Sequence, residues 1–328
     1  IAKELKENGS PLAIDLYKLI EKDDAEVDKV ETIKAKQQAE DYVLRAWQLV
    51  KDGENDIAVR ELIDALNLDP DHAIAYTRLG CIYDNYGLID EGFTLHKKAI
   101  EKDPDLAEAY SNMGYVFQIK GESKQAIDAY NRALEIDPNL VQAHNSIGVL
   151  YDNLGDYEKG ISHFQQALKI DPNREVTWRD LGFAYRHLGK IDDAIVAFKM
   201  AIKLDPKSQS RNMLATMYRE LKRYEDAEAE LLEIVKIDPE SVNAWLELAL
   251  CYMELGEKKK FRDAFEKAMM LPARDPYDLY TKAQLMETVD KNAAIECWTQ
   301  FLTIKHLVTD PEMVSYAKKR LDKLCGGG

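Results

Sequence analysis

Between Val141 and Pro172 the chain carries two apolar stripes with a break between them. His144, Ile147, Gly148 and Tyr151 fall at i, i+3, i+4 and i+7, the spacing that lines one face of an α-helix. Gly155 interrupts, and Gly160, Phe164 and Ala167 form a second stripe that Asp171-Pro172 closes. A proline inside a helix costs about 3 kcal/mol, so the block predicts a helical hairpin bounded by Asp-Pro. The block recurs. Asp-Pro stands at 69–70, 103–104, 137–138, 171–172, 205–206 and 238–239, at intervals of 34, 34, 34, 34 and 33 residues. Asp71, Asp105, Asn139 and Asn173 follow the prolines and are expected to cap the next helix. Self-similarity at this period predicts a solenoid of stacked hairpins.

Glycine fixes the register within the block. Gly80, Gly114, Gly148 and Gly182 share unit position 8, inside the first helix. A glycine there costs about 1 kcal/mol against alanine, so a second helix is expected to pack too closely for a β-carbon. Gly53, Gly87, Gly121, Gly155, Gly189 and Gly256 share position 15, where a left-handed residue ends the first helix. Gly92 and Gly160 share position 20 in the second helix.

The unit beginning at Glu175 supplies Trp178, Leu181, Gly182, Tyr185, Ala194, Phe198, Ala201 and Pro206 at positions 4, 7, 8, 11, 20, 24, 27 and 32. In these residues the chain resembles the tetratricopeptide-repeat family. The resemblance implies an all-α solenoid, a right-handed superhelix of helical hairpins, acting in protein–protein interaction. Units begin at Ala39, Ala73, Ala107, Val141, Glu175, Ser208 and Val242, so seven repeats are expected over residues 39–274. Unit six has Lys222 where Gly is usual and Ile234 where Ala is usual, and unit seven has Phe261 at the small position. A degenerate eighth repeat is expected over 275–305: Ala294, Trp298 and Phe301 fit its second helix, while its first helix, from Pro276 to Val289, lacks the small residue. Residues 306–328 read as a helix whose Met313, Ala317, Leu321 and Leu324 cap the stack, with a glycine tail. At the front, residues 1–38 read as a truncated repeat (Ser10-Pro11, then Ala13, Tyr17 and Ile20) and a lead-in that lengthens the first helix of unit one.

Charge narrows the partners. The 328 residues carry 59 acidic and 44 basic side chains, a formal net charge of −15. That field disfavours nucleic acid and anionic membranes. The runs Lys258-Lys259-Lys260 and Lys318-Lys319-Arg320 read as solvated helix faces, and no stretch is long and apolar enough to cross a bilayer. Cys81, Cys251, Cys297 and Cys325 have no paired spacing and read as free thiols of a reducing, cytoplasmic compartment. A chain beginning at Ile1 leaves open a removed leader.

The resemblance also implies a concave surface formed by the first helices, with positions 2, 5, 6, 9, 12 and 13 inward. Over seven units their formal charges sum to −3, far less acidic than the chain. Asn112, Asn145 and Asn153 offer carboxamides to an extended peptide backbone. Arg179, Arg186 and Arg219 add a basic patch suited to an acidic or carboxylate-bearing segment. These six are the expected partner contacts. Apolar residues mark the two ends: Val43, Leu44, Trp47 and Val50 in unit one, Leu246, Leu250 and Met253 in unit seven, the latter expected to be covered by the following helices. The family's carboxylate clamp is absent, since Asn112 is preceded by Thr77 and Cys81 and followed by Gln142 and Ser146. Its asparagine ladder fails as well, because position 6 reads Leu44, Arg78, Asn112, Ser146, Asp180, Met213 and Glu247.

Nothing points to catalysis, a metal or a cofactor. Gly182 and Gly189-Lys190 are too far apart for a phosphate loop. The histidines at 72, 96, 144, 163, 187 and 306 form no HxxxH or HExxH. Asp23-Asp24 and Asp192-Asp193 sit at helix starts, where they complement the dipole. The chain is therefore expected to be a non-enzymatic adaptor holding a partner peptide or helix. Self-association into a scaffold, or service as the recognition segment of a larger enzyme or secretion machine, are the alternatives.

Overall fold

A computed structural model of the chain describes residues 29–273, 275–308 and 310–325. The expected truncated repeat at Ser10–Ile20 and the glycine tail lie outside these residues. Among them every regular element is helical. The hairpins are α1 (Lys29–Lys51) with α2 (Asn55–Leu68), α3 (Ala73–Asn85) with α4 (Ile89–Lys102), α5 (Ala107–Ile119) with α6 (Ser123–Ile136), and α7 (Val141–Asn153) with α8 (Tyr157–Ile170). Then come α9 (Glu175–His187) with α10 (Ile191–Leu204), α11 (Ser210–Glu220) with α12 (Tyr224–Ile237), α13 (Val242–Glu254) with α14 (Lys258–Met270), and α15 (Pro276–Met286) with α16 (Lys291–Thr303). A 3-10 turn at Lys305–Leu307 leads to the last helix, α17 (Pro311–Cys325). The chain divides between Asn173 and Arg174 into two compact units.

The first seven hairpins turn through the same hydrogen bonds, whereas in the eighth Asp290 N–H donates to Met286 O at 2.7 Å. Gly155 takes φ +80°, its N–H donates to Asp152 O, and Asp156 N–H donates to Tyr151 O at 2.9 Å. That 6→1 bond with a left-handed residue is a Schellman ending. Unit six keeps the turn with a side chain in place: Lys222 holds φ 58°, and Arg223 N–H donates to Tyr218 O at 2.8 Å. Among the described residues it is the one non-glycine with positive φ.

The Asp-Pro junction differs from the sequence expectation. The residues after proline do not cap the next helix; His72, Leu106, Leu140 and Arg174 stand at those N-caps. The aspartate before proline does the work instead. Its Oδ1 accepts the N–H two residues on: Asp103 from Asp105 at 3.0 Å, Asp137 from Asn139 at 2.9 Å, Asp171 from Asn173 at 3.0 Å, Asp205 from Lys207 at 2.9 Å. Its carbonyl accepts a second N–H three residues on, as from Leu140 at 3.2 Å and Ser208 at 2.9 Å. An Asx turn and a β-turn with Pro at its second position thus coincide, each using what these two residue types supply.

The position-8 glycines are enforced by packing inside their own hairpin. A β-carbon on Gly148 would lie 2.6 Å from Phe164, on Gly114 2.8 Å from Tyr130, and on Gly182 2.7 Å from Phe198. These rings, at position 24, are fully buried. In the second hairpin His96 takes the ring's place over Gly80. Position 20 brings backbones together, since a β-carbon on Gly160 would meet Gly148 O at 3.0 Å.

The C-terminal elements close the second unit. Leu285 of α15 joins the core that contains Leu246, which is fully buried, while Leu250 is half-buried and Met253 remains exposed. Ala283, passed over in the sequence reading, fills the small-residue place of α15 and is buried with Trp298 and Phe301. Met313, Ala317, Leu321 and Leu324 of α17 pack on that cluster. Arg320 is not a solvated face residue: it pairs with Glu287, which also accepts Trp298 Nε1–H at 2.7 Å. Lys260 stays exposed, as expected, while reaching Glu228 at 3.0 Å and Glu257 at 2.8 Å.

Candidate functional site

The first-helix surface is narrower than the family pattern implies. Position 5 is buried at Val43, Thr77, Ser111, Asn145 and Leu246, whereas Arg179 in unit five is half-buried and Asn212 in unit six is exposed. A helix turns about 100° per residue, so a side chain pressed onto the adjacent first helix leaves positions 2, 9 and 13 for solvent. Those positions, with 6 and 12 at their edge, carry the accessible chemistry.

In the first unit this surface is apolar and amide-bearing. Leu44, Trp47, Tyr115 and Ile119 are exposed. Trp47, Arg78, Cys81, Asn85 and Glu108 line a shallow groove across α1, α3 and α5. The Arg78 guanidinium lies 4.3 Å from the Trp47 ring centroid, and its Nε is buried with no hydrogen-bond acceptor. Asn112 donates through Nδ2 to Cys81 Sγ at 3.1 Å. Burial, with Glu108 and Asp84 nearby, pushes the Cys81 thiol up to about 12, so it is no nucleophile at neutral pH. Asn145 has almost no exposed surface, whereas Asn153 at the end of α7 is exposed. Sequence reasoning marked Trp47 and Asn112 but missed Arg78, whose place over the tryptophan depends on α1 and α3 lying side by side.

In the second unit the three arginines occupy α9 and α11, each with carboxylate neighbours. Arg179 lies 3.6 Å from Asp180 and 3.9 Å from Glu175. Arg186 pairs with Glu220 at 3.4 Å. Arg219 pairs with Glu247 of α13 at 2.6 Å. Burial raises the Glu247 carboxyl, with Arg219 pulling the other way.

Two polar clusters inside the first unit escaped the sequence reading. His96 Nε2 and Asp84 Oδ2 stand 2.9 Å apart in the core of the second hairpin, both buried. His96 Nδ1 and Asp84 Oδ1 have no hydrogen-bond partner there. In the fourth hairpin His144 Nδ1 and His163 Nδ1 are 3.2 Å apart, with Tyr151 stacked on the His163 ring. Burial lowers both imidazoles' proton affinity; the Pro138 carbonyl opposes it at His144, and the neighbouring His144 lowers that of His163 further. Among the described residues no three His, Cys, Asp or Glu side chains converge as a metal site, the cysteines are free, and no helix is long and apolar enough to cross a membrane.

Comparison with known proteins agrees with this architecture. A family model described as Tetratricopeptide repeat matches residues 107–140, 141–174 and 176–208, and a second of the same description matches 212–278, together just over half of the chain. The fold is similar to that of PilF from Pseudomonas aeruginosa: TM-score 0.55, 19% identity, 66% of this chain and 97% of that one. It is also similar to a tetratricopeptide repeat protein from Parabacteroides merdae: TM-score 0.50, 18% identity, 75% and 98%. A crystal structure of MamA protein matches at 27% identity with TM-score 0.43, covering 52% of this chain and 93% of that one. No curated protein sequence matches the chain.

Proposed function

We propose that this chain, which belongs to the tetratricopeptide-repeat family, is a non-enzymatic adaptor that holds an extended segment of a partner protein against its first-helix surface. One observation carries the reading: Trp47, Tyr115 and Ile119 stay exposed beside Arg78, Asn85 and Asn112 on adjacent first helices. A soluble surface gains nothing from exposing aromatic rings among amides, whereas a peptide uses both, side chains on the rings and backbone on the carboxamides.

Within the first unit the contacts fall at Asn112 and Asn153, with Asn145 serving the neighbouring hairpin more than the surface. Within the second they fall at Arg179, Arg186 and Arg219. A carboxylate-bearing segment enters there by exchange with Glu220, whose 3.4 Å pair with Arg186 is looser than the 2.6 Å pair between Arg219 and Glu247. The test is selection of binders from a random peptide library, followed by hydrogen-exchange footprinting. Protection of α1, α3, α5, α7, α9 and α11, and loss of affinity in Trp47→Ala or in Arg179→Ala with Arg186→Ala, are the expected results. Losing one charge-assisted bond costs about 1.5–3 kcal/mol, roughly ten- to a hundredfold in affinity. Protection confined to the second helices would sink the reading.

A further inference from the structure

In the fourth hairpin, α7 and α8 bring two imidazoles together across 19 residues of sequence, at unit positions 4 and 23. The juxtaposition belongs to the fold. In the sixth hairpin the same two positions hold Arg211 and Glu230, whose Nη1 and Oε2 meet at 2.5 Å. Where that hairpin makes an ion pair, the fourth puts His144 Nδ1 3.2 Å from His163 Nδ1.

The second nitrogen of His144 sets its tautomer. Nε2 lies 3.3 Å from the Pro138 carbonyl, so Nε2 carries the proton and donates it there. Position 4 does the same in the seventh hairpin, where Trp245 Nε1–H donates to Pro239 O at 2.9 Å. The lone pair of His144 therefore sits on Nδ1, facing His163. A ligating histidine almost always anchors its other N–H on a carbonyl or carboxylate, and here that anchor is already made.

We propose that His144 and His163 form a two-histidine binding site for a borderline-soft divalent transition-metal ion of the Zn²⁺, Ni²⁺ and Cu²⁺ class. Imidazole nitrogen is the donor these ions take. Zinc–nitrogen bonds run about 2.0–2.1 Å, and two such bonds to atoms 3.2 Å apart enclose an angle of roughly 100°, close to tetrahedral. A modest swing of each ring off the direct N···N line admits the ion. His163 then shifts its proton from Nδ1 to Nε2, and the histidine–histidine hydrogen bond gives way to two metal bonds. Both rings are half-buried, which leaves the remaining coordination positions to water. A chain of net charge −15 draws cations toward such a site.

The test is calorimetric titration of the full chain with Zn²⁺ in a Cys325→Ser background, which removes the exposed thiol. Two variants keep the hairpin intact. His144→Tyr installs the residue that Tyr76 and Tyr110 supply at the same position, and His163→Ala installs the residue that Ala129 and Ala197 supply. The background chain is expected to bind one Zn²⁺ at this site and to melt higher with it. Each variant should lose more than the roughly 10- to 100-fold that removing an outer-shell partner costs, while His187→Gln should bind as the background does. Circular dichroism of the zinc-free variants checks that both remain helical. A background chain that takes up no zinc, or His144→Tyr and His163→Ala chains that bind it undiminished, would overturn the proposal.

Discussion

The buried Asp84–His96 pair permits a test in which single and double substitutions differ in sign. His96 is fully buried, the Asp84 carboxylate is 4% exposed, and the two meet at 2.9 Å. His96→Phe supplies the kind of ring that Tyr130, Phe164 and Phe198 place in the next three hairpins, so packing over Gly80 is kept. It also strands the Asp84 carboxylate, whose Oδ1 already lacks a partner. Removing one member of a buried pair costs about 3–5 kcal/mol. Asp84→Val alone leaves the His96 imidazole with both nitrogens unsatisfied, at about 1–3 kcal/mol. The double substitution replaces both by apolar groups, a change that ranges from neutral to about 1–4 kcal/mol stabilising. The singles should therefore fall and the double recover, a coupling at or above the 0.5–3 kcal/mol usual for touching residues. Repeat arrays need not unfold in one step. Urea unfolding followed by circular dichroism should accordingly be joined to hydrogen exchange of α3 and α4. A double variant as unstable as the sum of its singles would refute the reasoning.

Lys222→Gly should raise the urea midpoint. It relieves a left-handed lysine at about 1–2 kcal/mol, less the 0.5–1 kcal/mol that glycine loses in chain entropy; an unchanged or lower midpoint would mean the turn is unstrained. Gly148→Leu should overpack the Phe164 contact and cost about 1–3 kcal/mol, and an unaltered unfolding curve would contradict the packing described. Deleting residues 311–328 should expose the Trp298 cluster and cause aggregation, whereas a truncated chain that scatters light no more than the parent would make α17 a free arm. Hydrogen bonds from Arg320, then from Trp298, hold the Glu287 carboxyl below the usual carboxylate range. Its contribution is therefore present at neutral pH and lost as pH falls through and below that range. Proteolysis of α17 should accelerate on acidification in the parent, and Glu287→Gln should already be fast at neutral pH.

Hairpin count, turn positions and the need for glycine at 148 could all be read from the sequence, because each depends on residues inside one 34-residue block. Asp171-Pro172 was readable as a break, but not the way it works. An Asp or Asn after the proline suits the capping rule, and only the backbone path shows that Asp171 itself takes the N–H of Asn173. Position 24 reads as an aromatic place, so His96 stood out only by absence. Its pairing needed Asp84 to turn inward between Gly80 and Gly92. The surface was least legible. The exposure of Trp47 and the burial of Asn145 depend on the rotation of each first helix against its neighbour. The pairing of Arg219 with Glu247 needs α11 and α13 side by side.

The Schellman and Asp-Pro turns have a mechanical consequence. Among the described residues, every backbone hydrogen bond at these junctions joins residues at most five apart, and no backbone ladder ties one hairpin to the next. Neighbours are held by side chains, through apolar packing and scattered pairs such as Arg219 with Glu247, which shear more gently than a zipper of amide bonds. A chain pulled by its ends should thus yield one hairpin at a time. Each 34-residue block, fully extended, would release about 110–120 Å of chain. The array would behave as a string of small, separately resetting springs, each re-forming from its own turns when the load is removed.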